Sequence, residues 1–404
     1  LKDETALAGF GRRRFGLREF LVIGQVAVSL VLLVGASLLV RGLIAARSVE
    51  LGFDPARLAT LEVNLKFNNY SPERAQTFFR EAVERLEALP SVEAASVARR
   101  LPLSPDINIE GIFVPGHQTS PDEPGIGIDA VAVGPAYFKT LGVPLLEGRD
   151  FNALDTGTSP RVAIVNQAFG RRFWPAESAL GKRFHLDSLS GTPVEIVGVV
   201  SDHKVRTVGE TLRPYLHFSL SQDDSLATNF MVRTRREPGS ELETLRRELL
   251  QLEPDLVFVS AETLPQTVAA SLFPVRMGSA LLAAAGGLAV LMAAIGLYGA
   301  IAYWVSCRTR EMGIRVALGA GRGEVLKLVV GQGMILAVLG GALGLVGAAA
   351  GSRILSGLLY GVSALDPTAF AAALAFILGV SFIASYPPAR RAAALDPMVA
   401  LRQP

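Results

Sequence analysis

Four long stretches without an acidic or basic side chain dominate this sequence, at residues 20–40, 277–307, 328–352 and 368–386. A helix needs roughly 20 consecutive apolar residues to cross a bilayer. Each stretch is close to that length or beyond it, and the second is long enough to span and project past the membrane. A secretory signal peptide is a poor account of the first. Its apolar run is too long, and Arg41 and Gly42 stand where a small-residue cleavage site belongs. Three further uncharged runs rarely occur together as buried helices of one soluble fold.

Basic residues in the short flanks set the expected orientation. Lys2, Arg12, Arg13, Arg14 and Arg18 precede the first run. Arg308, Arg310, Arg315, Arg322 and Lys327 lie between the second and third, and Arg390, Arg391 and Arg402 follow the fourth. Only Arg353 lies in the loop between the third and fourth. Both termini and the second loop are therefore expected in the cytoplasm, and residues 41–276 outside. The net charge of +2 points to no nucleic-acid partner. Cys307 is the only cysteine, which excludes an intrachain disulfide and a thiolate metal cluster. An outer domain of this size must then be held by its own core.

Two small-residue pairs mark the third run, Gly340 with Gly344 and Gly347 with Gly351. This spacing puts the glycines on one helix face and lets another backbone approach. Packing within the chain and packing against a second subunit both fit. No Asp, Glu, Lys or Arg lies deep in any run, which speaks against a proton-coupled carrier.

The outer segment carries a strand–helix–strand pattern at each end. Leu61, Val63, Leu65 and Phe67 alternate with polar residues, Ser71-Pro72 reads as a helix start, and Ala75, Phe78, Phe79, Ala82, Val83, Leu86 and Leu89 follow at helical spacing before a strand over 92–97. The order returns with a strand over 230–234, a capping box at Ser240 and Glu243, Leu242, Leu245, Leu249 and Leu252 on one helix face, and a strand over 256–259. The two units are expected to form one subdomain, split by a mostly β insertion at about 101–220 with one helix near 167–174. Helical stalks are expected to join it to the membrane, one continuing the first span to Gly52, the other over 264–272 with a kink at Pro274. The fold class is thus an α-helical membrane protein with four spans and a large extracytoplasmic α+β domain. Its expected parts are a cytoplasmic flank at 1–19, the first span and stalk at 20–50, the outer domain at 51–270, and a permease region at 271–404 containing a cytoplasmic segment at 306–327.

Catalytic chemistry is not apparent. Gly181-Lys182 is followed by Arg183, so there is no phosphate loop, and no GxSxG elbow is present. His117, His185, His203 and His217 lack metal-ligand spacing. Asp202 and His203 are adjacent and would point to opposite faces of a strand. No cofactor or metal is expected. Arg171, Arg172, Phe173 and Trp174 fit either an anion-binding cluster or packed aromatics with solvated charges. The segment RTREMGIRVALGA at 308–320 reads as an amphipathic helix, suited equally to the membrane surface or to a partner's groove.

That segment resembles the cytoplasmic RxxEIGIRxAxGA stretch of MacB/FtsX-type ABC transporter permeases. The likeness extends to PARRAAALDPMVALR at 388–402. Upstream, VAVGPAYFKTLGVPLLEGRDF at 131–151, VAIVNQAFGRRFWP at 162–175 and VEIVGVVSDHKV at 194–205 look like the MacB-like periplasmic core domain. The resemblance implies a bacterial inner-membrane permease that works as a dimer or, in duplicated relatives, as a pseudo-dimer; a start at Leu1 fits the second unit of such a protein. It further implies a cytoplasmic ABC ATPase as partner, in some relatives a periplasmic adaptor, and transmission of ATP-driven movement to the outer domain for efflux, export or lipoprotein handling. On this resemblance Arg308, Arg310, Glu311, Gly313, Ile314, Arg315, Ala317 and Gly319 form the ATPase-coupling segment. FtsX-like members suggest an alternative, a signalling protein that controls a periplasmic partner without moving a substrate.

Overall fold

The first apolar run forms helix α1, Leu17–Ala46. The computed structural model describes residues 16–46, 49–104, 106, 108–117, 125–317, 321–354 and 362–394. Two units emerge: Ser48–Phe273 forms one, and the segments on either side of it, Leu1–Arg47 with Pro274–Pro404, form the other.

The Ser48–Phe273 unit opens with β1 (Leu58–Asn64), α2 (Pro72–Glu87) and β2 (Val92–Ala98). Ser71 caps α2, its Oγ accepting from the Arg74 N–H, with Pro72 in the first turn where a missing N–H costs nothing. Next come β3 (Ile109–Phe113), β4 (Ile126–Val133), α3 (Tyr137–Leu141), β5 (Leu145–Gly148), β6 (Arg161–Asn166), α4 (Gln167–Phe173), β7 (Arg183–Leu186), β8 (Pro193–Val200) and β9 (Tyr215–Ser219). The unit closes with β10 (Ala227–Thr234), α5 (Pro238–Leu252), β11 (Phe258–Thr263) and α6 (Leu264–Ser271).

The terminal strands order as β11-β1-β10-β2, all antiparallel neighbours. This is the split β-α-β arrangement of a ferredoxin-like sheet. Helices α2 and α5 cover it with Phe78, Phe79, Leu245 and Leu249 buried. Phe78 and Phe79 meet Phe230 of β10 edge to face at 6.2 and 6.1 Å. Each such side chain contributes about 1.5–3 kcal/mol by burial, so this face alone can anchor both helices.

The insertion closes on itself. β4 pairs with β3, β3 with β7, β7 with β8, β8 with β6, β6 with β9, and β9 returns to β4. The resulting six-stranded ring removes the exposed edges that an open sheet would leave. Its core holds Ile112, Phe169, Phe184, Ile196 and Leu216, and α4 plugs it with Phe169 and Phe173. A single pairing, Ala98 with Val133, links the ring to the terminal sheet.

Several local expectations are corrected. The first strand ends at Asn64 and a 3-10 turn over Leu65–Asn68 follows, so Phe67 is exposed rather than buried. The expected capping box at Ser240 is absent: α5 starts at Pro238, and Ser240 Oγ donates to the Glu237 carbonyl. The box falls instead at Thr263 and Gln266, at the start of α6. The last strand begins at Phe258, with Leu256 buried in the turn before it. The first span is helical only to Ala46, and residues 49–57 are not helical. The stalk before the second span is helical over Leu264–Ser271, and the helix breaks at Leu272, just ahead of Pro274 in the first turn of α7.

The other unit contains α1, α7 (Phe273–Cys307), α8 (Thr309–Ala317), α9 (Arg322–Ser352) and α10 (Pro367–Ala393). Four of these, all but α8, are long and apolar enough to cross a membrane. α9 lies against both α1 and α10. Asp366 caps α10 through the Thr368 and Ala369 N–H groups and pairs with Arg41 of α1 at 3.2 Å.

Candidate functional site

The segment between α7 and α9 is built from a tight turn and one short helix. Thr309 Oγ1 bonds the Val305 and Ser306 carbonyls at 3.1 Å, and the Met312 N–H donates to the Arg308 carbonyl at 3.0 Å. Helix α8 then carries Glu311 between two arginines. Arg315 Nη2 donates to Glu311 Oε1 at 2.8 Å, and Arg308 Nε stands 3.9 Å from Glu311 Oε2. The i,i+4 order Glu-to-Arg supports the helix by about 0.2–0.5 kcal/mol.

The apolar residues of α8 divide. Met312 is 2% exposed and Gly313 is buried, whereas Ile314 is 44% exposed beside Arg310, Glu311 and Arg315. Met312 thus fixes the inner face and Ile314 is left on an outer face that is otherwise charged. Ala317 ends the helix, and Gly319 lies outside the described residues. The tail from 395 onwards, with Arg402, lies outside them too.

The α9 glycines meet α1. A Cβ at Gly340 would stand 2.7 Å from Val26 Cβ, and one at Gly344 would stand 2.9 Å from both the Ala27 carbonyl oxygen and Leu30 Cβ. Gly347 would meet Val31 at 3.1 Å, while Gly351 faces open space. The first pair is therefore taken by a helix of the same chain and is not free for a second subunit.

Among the described residues no group of three or more potential ligands could hold a metal ion. Asp202 is not paired with His203. Its Oδ1 accepts from the Ala168 N–H at 2.8 Å and its Oδ2 pairs with Arg171, so it caps α4. His203 turns inward, and its ring comes 5.3 Å from that of His217. Linear spacing hid this pair, because β9 must run beside β4 and β6 before His217 faces the loop after β8. Burial pushes both imidazoles below their usual range, His217 well below. Both are core residues whose charged form burial disfavours.

Two family models match this chain. Residues 20–252 match the model of the MacB-like periplasmic core domain, and 283–397 match the FtsX-like permease C-terminal model. A macrolide export ATP-binding/permease protein MacB from Mannheimia succiniciproducens is 22% identical, the match covering 74% of this chain and 46% of that protein. An uncharacterized ABC transporter permease of Bacillus subtilis, YknZ, is 24% identical over 67% of this chain and 68% of its own length. The chain spans about half the length of the curated MacB relatives it matches. The periplasmic region of MacB from Actinobacillus actinomycetemcomitans aligns with 53% of this chain and 92% of its own, at 14% identity and a TM-score of 0.36. With more than half of its length inside the first model and the second covering its last spans, the chain belongs to the family of MacB/FtsX-type ABC transporter permeases.

Proposed function

We propose that this chain is the permease subunit of an ABC system and that α8 is where a separate cytoplasmic ATPase engages it. The carrying observation is the division of α8: Met312 anchors one face, and Arg310, Glu311, Ile314 and Arg315 are presented on the other. A short polar-faced helix held between two spans can receive a push from a soluble partner. Movement passed through α7 and α1 would reach the outer domain and serve efflux, export or lipoprotein handling, in a dimer or pseudo-dimer, with a periplasmic adaptor as a further partner. This places α8 and both termini in the cytoplasm of a cell bounded by the inner membrane, and the Ser48–Phe273 unit in the periplasm. On this reading ATP chemistry belongs to the ATPase, and these 404 residues carry no phosphate loop.

The test is capture of the ATPase by the membrane-extracted protein. Glu311→Lys reverses a charge at the proposed contact, and losing one partner of such a pair costs about 2–5 kcal/mol. Capture is expected to weaken at least roughly 30-fold, since each 1.4 kcal/mol is about tenfold. Arg235→Glu, on an exposed position of the other unit, should leave it unchanged. Equal capture by both variants, or none by the parent, removes the coupling assignment and favours the signalling alternative.

A further inference from the structure

The last turns of α7 carry three aromatic rings, and each holds an arginine from a different segment. The Arg18 guanidinium, at the start of α1, sits 4.1 Å above the Tyr303 ring. Arg308, just beyond α7, sits 4.8 Å from the Trp304 ring. Arg391, in the last turn of α10, donates from Nη1 to the Tyr298 hydroxyl at 3.2 Å. The contacts gather three guanidinium groups at one end of the four membrane-capable helices.

Arginines on solvent-exposed helix ends normally sway freely. Here two are held over rings, which restricts them; Arg18 keeps its N–H edges available to donate, whereas Arg308 also shares Glu311 with Arg315. Neither Arg18 nor Arg391 has a carboxylate within ion-pair distance among the described residues. The nearby acids are engaged: Glu19 Oε2 accepts from the Gly16 N–H at 2.9 Å, and Glu311 is shared by Arg308 and Arg315. Exposed apolar surface starts within a turn of Arg18, with Phe20 69% and Leu21 56% exposed. A ligand that satisfies both features carries a phosphate next to hydrocarbon.

We propose that the collar formed by Arg18, Arg308 and Arg391 on Tyr303, Trp304 and Tyr298 binds the phosphate headgroups of anionic phospholipids. Bidentate donation to phosphate oxygens suits guanidinium better than ammonium, and tyrosine and tryptophan favour the headgroup level. Arg308 is shared with the coupling segment, but Arg18 and Arg391 lie on α1 and α10, so this inference does not depend on the ATPase assignment.

The protein carries only two tryptophans, so Trp174→Phe leaves Trp304 as the sole indole reporter. The full chain is placed in phosphatidylcholine bilayers doped with brominated phosphatidylglycerol or, at equal fraction, brominated phosphatidylcholine. Quenching of Trp304 is expected to show a preference for the anionic lipid of at least about fivefold, the contribution of one basic side chain near a charged surface. The triple variant Arg18→Gln, Arg308→Gln, Arg391→Gln should lose that preference. A triple variant of equal charge change in the other unit, Arg235→Gln, Arg236→Gln, Arg247→Gln, should keep it. Tyr303→Phe preserves a ring and should retain most of the preference, whereas Tyr303→Leu should reduce it, which keeps the test decisive if the triple variant does not fold. Equal quenching by both lipids in the Trp174→Phe parent overturns the proposal. So does a preference that survives in the collar variant, disappears equally in the control, or is abolished by excess inorganic phosphate.

Discussion

Arg233 of β10 donates from Nη1 to Asp54 Oδ2 at 2.8 Å, joining the interior of the terminal sheet to the turn that leads into it. The same guanidinium donates to the Thr140, Asp54 and Ala56 carbonyls, so one buried side chain ties β10, α3 and residues 54–56 together. Gly52, at φ +77°, completes the turn: a Cβ there would run into the backbone of Asp202 and His203. A left-handed residue without a side chain is required at that position.

Replacing the two partners should therefore have unequal effects. Arg233 is 6% exposed at its side chain and Asp54 is 50% exposed. Arg233→Ala removes four donations made by one buried side chain and leaves several acceptors without a donor, so it should destabilise the protein by about 3 kcal/mol. Asp54→Ala leaves the three carbonyl acceptors in place and should cost about 1–2 kcal/mol. Thermal unfolding of the detergent-solubilised chain gives the order, and equal losses would contradict it.

The α1–α9 contact gives a second comparison. Gly344→Val forces a side chain against Ala27 and Leu30, and overpacking of this kind costs about 1–3 kcal/mol. Gly351→Val, at a position with nothing within 4 Å, should change stability little. The readout is the melting temperature of each variant, with Gly351→Val expected at the parent value.

Acid should destabilise the outer unit before its carboxylates titrate. Burial lowers the pKa of His203 and His217, with Asp202 and the Ser201 carbonyl opposing it at His203 and the neighbouring His203 adding to it at His217. Below the unfolded histidine value of about 6.5 the unfolded chain takes up protons that the folded chain refuses. Stability then falls as pH falls, by up to about 2.7 kcal/mol per pH unit if both groups stay neutral. His217→Phe should flatten that slope by about half between pH 7 and 5, since an aromatic ring can sit among Tyr137, Phe138 and Tyr215. Asp155 acts only at lower pH: burial raises its pKa, but the bidentate Arg149 and the Asn152 N–H outweigh this and leave it below the ordinary range. Its contribution is lost as pH falls through that depressed value. An unchanged slope in His217→Phe would show that other groups carry the pH dependence.

Orientation can be read with the single native thiol. Cys307, at the end of α7, is exposed and should resist a membrane-impermeant thiol reagent in intact spheroplasts. Ser190→Cys in a Cys307→Ser background should be labelled. The reverse pattern would invert the proposed topology.

The sequence by itself determined the membrane-capable helices, because uncharged runs of that length have few other physical outcomes. It also determined the split repeat, because helical spacing at Phe78, Phe79, Leu245 and Leu249 recurs between two strand patterns and buries one common face. The family was legible in the segment at 308–320 and in the outer-domain motifs. Closure of the insertion into a ring was not, since it depends on parallel pairings between β4 and β9 and between β6 and β8 that sequence spacing leaves open. The partners of the α9 glycines, the facing histidines and the three arginines on α7's rings were likewise settled only by tertiary structure. Periodicity specifies which face of an element is apolar or basic. Which distant element meets that face is decided by packing the whole chain at once.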